Sequence, residues 1–256
     1  MKRQLTWIPA LVALIVGGSG LSAQDRPSGD VAAPDARELI RRVERIMYPD
    51  AKAVATLHFK AGNGREENYG MIYYTRDRNQ KIIVRMTAPD SAVGNDLLMI
   101  EQNVWAYDKR SNRIMKIASN QSFGATGFSY GDVVRLNYSD NYNPELKGET
   151  GDRYRLELTA KDRGAPYYRI ELDVDKRGGW PVKGVYYARN GSVVKEITYA
   201  DVRDLGTGMK PVVLKVITPL DPGAVNVMTL LQEGFKDLPD RIFNKRNLET
   251  RTEEKL

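Results

Sequence analysis

Residues 168–175, YRIELDVD, decide the fold class, because apolar and charged side chains alternate along them without a break. Every second residue from Tyr168 to Val174 is apolar or aromatic, and every second residue from Arg169 to Asp175 is charged. A strand with one apolar and one charged side is typical of an antiparallel sheet that packs on one face and meets water on the other. The stretch therefore predicts a β protein whose core lies against one face of a sheet.

Segments of the same kind recur along most of the chain. Residues 153–158 repeat the alternation, and residues 53–60 lead into a turn at residues 62–64, GNG. The pattern predicts about eleven strands joined by short turns. A sheet of that width cannot stay flat, because twist accumulates from strand to strand. We therefore expect a mainly β, α+β fold with a large curled antiparallel sheet whose apolar face is covered by helices.

One amphipathic helix precedes the strands. Asp35 is followed three positions later by Glu38, the spacing of a capping box. Apolar residues then recur at helical spacing and end at residues 48–50, YPD. These apolar residues are Ala36, Leu39, Ile40, Val43, Ile46 and Met47. The spacing predicts a helix that lies against the apolar face of the sheet.

The first residues predict export. Lys2 and Arg3 are cationic, residues 5–16 form an apolar run, and Leu21-Ser22-Ala23 leads into polar sequence. This order is the pattern of a secretory signal that is cleaved after Ala23. The apolar run is shorter than the about 20 residues of a spanning helix. No cysteine follows, so neither lipid attachment nor disulfides are expected in the periplasm. We predict a signal peptide over 1–23, a flexible lead-in over 24–34, one domain over 35–248 and a polar tail over 249–256.

Residues 119–147 interrupt the strands with glycine, hydroxyl and aromatic residues in no period. A loop of this length inside a compact β domain is usually functional and often a lid. Aromatic side chains there and on a preceding strand suit a pocket that accepts flexible chains. The residues expected to line or close this pocket are Trp105, Tyr107, Phe123, Phe128 and Tyr130.

Catalytic, metal and nucleic-acid functions have little support. Residues 127–131, GFSYG, match the G-x-S-x-G nucleophile elbow, but that motif needs a histidine after the serine, and the only histidine, His58, precedes Ser129. One histidine and no cysteine do not make a zinc site. The net charge of +6 comes from interspersed basic and acidic residues rather than from a basic stripe. We expect no catalytic residue, metal, cofactor or nucleic-acid partner, with a secreted serine hydrolase using Ser129 as the alternative.

Several motifs taken in order resemble a known family. Gly70-x-Ile72-x-Tyr74-x-Arg76, then residues 86–90 (MTAPD), then Trp105-x-Tyr107 follow the order seen in LolA-type periplasmic carriers of bacterial lipoproteins. Residues 113–118 (RIMKIA), followed by residues 128–130 (FSY) and Asp132, are similar to the branch of outer-membrane lipoprotein-sorting proteins.

The resemblance implies an incomplete antiparallel β-barrel with a helical lid over an apolar cavity. It implies a carrier that binds acyl chains of lipoproteins or free lipids and moves them toward the outer membrane, with an inner-membrane transporter and an outer-membrane acceptor as partners. Arg76 corresponds to the arginine that latches the lid by donating to its backbone. The family usually has acidic residues where this chain has Gly127 and Gly131, which predicts a less polar and more mobile loop. A protein-binding accessory subunit of an envelope lipid transporter is a further alternative.

Overall fold

The structure is a computed structural model that describes residues 33–255, so the predicted signal peptide and nearly all of the lead-in lie outside the described residues. The main element is one sheet of thirteen strands. The strands are β1 (Ala51–Lys60), β2 (Glu66–Arg76), β3 (Lys81–Ala88), β4 (Leu97–Ile100), β5 (Asn103–Asp108), β6 (Arg113–Ile117), β7 (Tyr142–Thr150), β8 (Arg153–Ala160), β9 (Arg169–Asp175), β10 (Pro181–Tyr187), β11 (Val193–Asp204), β12 (Met209–Ile217) and β13 (Val225–Phe235).

The strand order is β6-β5-β4-β3-β2-β1-β13-β12-β11-β10-β9-β8-β7. Every neighbouring pair is antiparallel, and β1 pairs with β13 in the middle, from Ala51 opposite Phe235 to Lys60 opposite Val225. The sheet is therefore open, with β6 and β7 as its edges and residues 118–141 joining them. This confirms the predicted mainly β fold and the incomplete barrel, with thirteen strands rather than about eleven.

One strand, β7, begins inside the stretch that the sequence pattern predicted to be irregular. β7 carries Pro144 and Gly148, two residue types that are depleted in strand interiors, although its burial still alternates. Proline is tolerated in an edge strand because one side of such a strand needs no ladder hydrogen bonds. The irregular connection is therefore shorter than the 119–147 stretch that composition predicted.

Within residues 33–255, four short helices accompany the sheet: α1 (Ala36–Met47), α2 (Tyr130–Val133), α3 (Tyr138–Asn141) and α4 (Lys245–Thr250), with 3-10 turns at Asp240–Ile242 and Thr252–Lys255. The predicted helix is α1, and the side chain of Asp35 caps it by accepting from the backbone N–H of Arg37. Its buried face, which includes Leu39, Ile40 and Val43, joins the core on the sheet. None of the helices within residues 33–255 is both long and apolar enough to cross a membrane.

The sheet has two differently covered faces. The inner face is the one that α1 covers, and it buries alternate residues of the strands completely, for example Leu156 and Leu158 on β8 and Ile170 and Leu172 on β9. The alternation at β9 is therefore confirmed, although Tyr168 just before the strand is 40% exposed.

The outer face carries a second, smaller apolar cluster. Residues 236–255, here called the C-terminal strap, contribute Leu238, Ile242, Phe243 and Leu248 to it. These side chains pack on Tyr74, Ile83 and Leu98 of strands β2, β3 and β4. The residues expected as a polar tail are folded through residue 255, and the side chain of Glu253 is fully buried against Arg85.

Candidate functional site

Residues 119–136, here called the connecting loop, begin just after one sheet edge, β6, and end before α3, which leads into the other edge. A hairpin forms within the loop, where the backbone N–H of Phe123 donates to the carbonyl of Phe128 over 2.9 Å. Ser129 then starts α2 through a capping box with Asp132, in which each side chain bonds the other residue's backbone. Ser129 is thus a helix cap in this structure.

The three aromatic residues of the connecting loop point toward the inner face. Phe123 lies between Tyr69 and Tyr130, with both ring centroids at 5.4 Å from its own. Phe123 and Phe128 are 8% and 2% exposed. The structure therefore brings Phe123, Phe128 and Tyr130 together as one apolar closure over the inner face.

Two of the three glycines of the loop, Gly127 and Gly131, lie in close packing. A Cβ atom at Gly131 would lie 3.0 Å from the carbonyl oxygen of Ser119, and one at Gly127 would lie 3.0 Å from the amide nitrogen of Asn226. The backbone N–H of Gly127 also donates to Asn226 on β13 over 2.9 Å. The loop tip is therefore held directly on the sheet, and its greater mobility stays a prediction.

A buried ion pair links the loop to the sheet. The Lys195 ammonium on β11 is 1% exposed and bonds the Asp132 carboxylate at the start of α2. The same carboxylate oxygen accepts from the backbone N–H of Ser129 over 2.6 Å, from its hydroxyl over 2.8 Å, and from the Tyr167 hydroxyl over 2.7 Å. Burial lowers the pKa of Lys195, and the charge of Asp132 opposes that change. The loop thus keeps polar groups, contrary to the expectation drawn from its glycines.

Lys195 is not among the site residues predicted from the sequence, although its position in an apolar register could have indicated it. Lys195 shares the inner side of β11 with Ile197 and Tyr199, both of which are buried. A lysine in the apolar register of a strand needs a buried anion, because an unpaired buried charge is very costly. The sequence pattern can indicate in this way that Lys195 needs an anion, but it cannot identify Asp132 as that anion.

Tyrosine hydroxyls form a second polar group below the loop. The hydroxyl oxygens of Tyr138 and Tyr186 are 2.8 Å apart, and those of Tyr186 and Tyr199 are 3.1 Å apart. Burial raises the pKa of all three phenols, so they stay neutral hydrogen-bonding groups. Their hydrogen bonds satisfy one another and leave the surrounding rings apolar.

Two cavities lie on either side of the loop tip. The inner hollow has a volume of about 70 Å³ and is lined by residues that include Asp132, Tyr199 and Leu230. The outer pocket, between the loop and neighbouring strand turns, has a volume of about 550 Å³. Phe128, Pro166 and Tyr167 line both, so these three side chains separate them. Of these two cavities, the outer pocket alone falls within the range of about 300–1,000 Å³ that ligand pockets occupy.

The structure places two of the predicted cavity residues on the other face of the sheet. Val104 and Ala106 of β5 belong to the inner-face core, so Trp105 and Tyr107 alternate to the outside. Both pack on the outer-face cluster, and the Lys245 ammonium of the C-terminal strap lies 4.8 Å from the centre of the Trp105 ring. They lie apart from the aromatics of the connecting loop.

Arg76 also meets the C-terminal strap. Its guanidinium donates to the carbonyl of Leu238 and lies 3.5 Å from the carboxylate of Asp237. Donation to a backbone carbonyl is the chemistry expected of a latch. The segment that Arg76 holds is the strap on the outer face and not the connecting loop.

The described part of the chain does not bring a histidine to Ser129, as the serine hydrolase alternative would require. His58 bonds the Asn68 side chain on the neighbouring strand, with 2.8 Å between the two atoms. The Ser129 hydroxyl meets Asp132 and Tyr167 and has no histidine beside it among residues 33–255. Over the same residues, no group of three or more histidine and carboxylate side chains could hold a metal ion.

Comparisons with known proteins agree with this architecture. A family model described as an uncharacterized protein matches residues 78–250, more than half of the chain. No curated protein matches the sequence. A solved LolA superfamily protein from Nitrosomonas europaea is 26% identical, with a TM-score of 0.76 over 84% of this chain and 100% of that one.

Two further solved structures share the fold at lower identity. An outer membrane lipoprotein-sorting protein domain from Vibrio parahaemolyticus is 18% identical, with a TM-score of 0.71 over 84% of this chain and 98% of that one. A DUF1329 family protein from Desulfovibrio piger is 19% identical, with a TM-score of 0.71 over 83% of this chain and 97% of that one.

Proposed function

We propose that this chain, which is LolA-like in fold, is a periplasmic carrier that binds acyl chains of lipids or lipoproteins beneath the connecting loop. The observation that carries the proposal is the covering of the inner face by a hairpin whose Phe123, Phe128 and Tyr130 pack on it. These side chains occupy the position that an acyl chain would take.

Binding in this scheme requires the loop to move, because the inner hollow of about 70 Å³ is far smaller than a ligand pocket. Burying a dozen methylene groups contributes about 10 kcal/mol at about 0.8 kcal/mol each. Exposing the two loop phenylalanines costs about 3–6 kcal/mol at about 1.5–3 kcal/mol each. The acyl chain can therefore offset the cost of exposing these two side chains, and the loop closes again when the cargo leaves.

The further steps are part of the same proposal. The chain is exported by a signal peptide over 1–23 and works as one domain over 35–248, to which the end of the C-terminal strap, residues 249–255, also belongs. It accepts cargo from an inner-membrane transporter and releases it to an outer-membrane acceptor. Transfer without a bound nucleotide requires only that the acceptor hold the cargo more tightly than the carrier does.

A disulfide that locks the loop tests the proposal. Because the sequence has no native cysteine, no other disulfide can form within the chain. A Cβ atom at Gly127 would lie 3.3 Å from the Cγ atom of Asn226, so the double variant Gly127→Cys/Asn226→Cys brings two thiols within reach. Acyl lipid extracted from the purified protein is identified by mass spectrometry, and uptake of a fluorescent fatty acid is measured before and after reduction.

We expect acyl lipid in the wild-type extract, no uptake by the oxidised double variant and full uptake once it is reduced. Gly127→Cys alone is the matched control and takes up the probe in either redox state. Equal uptake by the locked and reduced forms would show that the loop does not gate the site. A protein that never holds acyl lipid and instead captures an envelope transporter would favour the accessory-subunit alternative.

A further inference from the structure

The two partners of the buried ion pair lie on different segments, one on the connecting loop, which would move, and one on the sheet, which would stay in place. Asp132 belongs to the connecting loop at the start of α2. Lys195 lies on β11, and Tyr167 stands two residues before β9, so neither donor is part of the connecting loop. Both donate to the same oxygen of the Asp132 carboxylate. When the loop moves away, the two donors stay behind without their acceptor.

Lys195 has no second carboxylate to turn to among the ion pairs of residues 33–255, in which Asp132 is its one partner. Its ammonium is otherwise surrounded by aromatic rings, with the ring centres of Tyr167 and Tyr186 at 4.8 and 4.9 Å and that of Phe128 at 5.6 Å. An ammonium in such surroundings needs an anion, because ring faces compensate only a small part of the lost hydration.

The groups that surround the Lys195 ammonium border the inner hollow. Asp132, Tyr167 and Tyr186 all line it. An acyl chain entering the hollow would keep water out, so water could not replace the carboxylate at Lys195. The replacement must then come from the ligand itself.

We propose that Lys195 and Tyr167 form a binding site for the anionic head of an amphiphile, a carboxylate or a phosphate, and that Asp132 occupies this site in the closed state. The inference rests on the proposed function, since it assumes that the chain carries acyl ligands. It adds that loop opening and ligand binding are coupled by exchange of one anion for another. A neutral amphiphile would leave Lys195 unpaired and would bind less well.

The test compares ligands that share one acyl chain and differ in the head. Lysophosphatidic acid, the free fatty acid and the monoacylglycerol, each below its micelle concentration, displace the neutral fluorescent probe N-phenyl-1-naphthylamine. For the wild type we expect both anionic ligands to bind at least about tenfold more tightly than the neutral one, the effect of one charged hydrogen bond. Inorganic phosphate is the control for an anion without a chain, and we expect no displacement.

Two substitutions have opposite expected effects. Lys195→Met removes the site, so the preference for anionic ligands falls to about one. Asp132→Asn removes the competing carboxylate, so anionic ligands bind more tightly than to the wild type. Because either change leaves a buried charge unpaired, the double variant Lys195→Met/Asp132→Leu is measured as well. We expect it to bind the neutral ligand and show no anionic preference.

Lys183→Met is the charge-matched control. Lys183 pairs with Glu196 at the surface, where its side chain is 44% exposed, and its loss should leave the preference unchanged. Equal affinity of the wild type for all three lipids, or a preserved preference in the Lys195 variants, overturns this inference and leaves the carrier proposal standing. Displacement by phosphate alone also overturns it, by pointing to a free anion. Binding of no lipid by any variant refutes the carrier proposal instead.

Discussion

Replacing Arg85 tests whether the C-terminal strap is held by buried charge. The Arg85 guanidinium on β3 is 1% exposed and bonds Asp96 over 2.8 Å as well as Glu253 of the strap. It also donates to the backbone carbonyl of Asn247 over 2.6 Å. The substitution Arg85→Leu removes all of these contacts and keeps an apolar side chain of moderate size.

The expected loss follows from what stays buried. Asp96 keeps Arg251 at 3.1 Å, whereas Glu253, whose side chain is 0% exposed, loses the one cation paired with it among the described residues. Leaving a buried charge without its partner costs about 3–5 kcal/mol. For a domain of this size each kcal/mol lowers the melting temperature by about 2–4 °C, so we expect a decrease of about 6–20 °C.

The assay is thermal and urea unfolding of the wild type, Arg85→Leu and a matched surface variant, Arg155→Leu. Arg155 lies 3.4 Å from Asp173 with 55% of its side chain exposed, so losing that pair costs about 0–1 kcal/mol. Hydrogen exchange should also show early loss of protection in the strap. Melting of Arg85→Leu within about 2 °C of Arg155→Leu would refute the reasoning, since a buried network would then be worth no more than a surface pair.

Three further outcomes are expected. Burial by itself would raise the pKa of Glu253, but the hydrogen bond and charge of Arg85 outweigh it and leave the pKa lowered. The ionised Glu253 therefore contributes its full stabilisation at a pH above its unfolded-state pKa, and this stabilisation is lost as the pH falls through the folded-state pKa. Glu253→Gln should accordingly flatten the acid side of a curve of stability against pH. Phe123→Asp should abolish uptake of a fluorescent fatty acid while the circular dichroism of the sheet is unchanged, and unaltered uptake would remove the loop from the site. Gly131→Val should lower stability by about 1–3 kcal/mol, because its Cβ would press on the backbone of Ser119, and a melting temperature equal to that of the wild type would contradict this packing.

The predicted loop aromatics illustrate how far the pattern of a sequence reaches. Composition located Phe123, Phe128 and Tyr130 in an irregular stretch, and the structure gathers them on the inner face. Trp105 and Tyr107 could not be assigned in the same way, because residues 103–108, NVWAYD, are apolar on both sides of the strand. Alternation then shows that two faces exist but not which of them is the inner one.

Features that depend on near neighbours could be predicted from the order of residues alone: the alternation of β9, the cap and apolar stripe of α1, and the irregular stretch before β7. Each of these follows from periodicity or spacing within a few residues, so it is legible without knowing the fold. Which buried charges meet depends instead on the folded chain. Lys195 finds Asp132 across 63 positions, and Arg85 finds Glu253 across 168. Those pairings depend on strand register and on the path of the strap over the sheet, and no local pattern of residues encodes either.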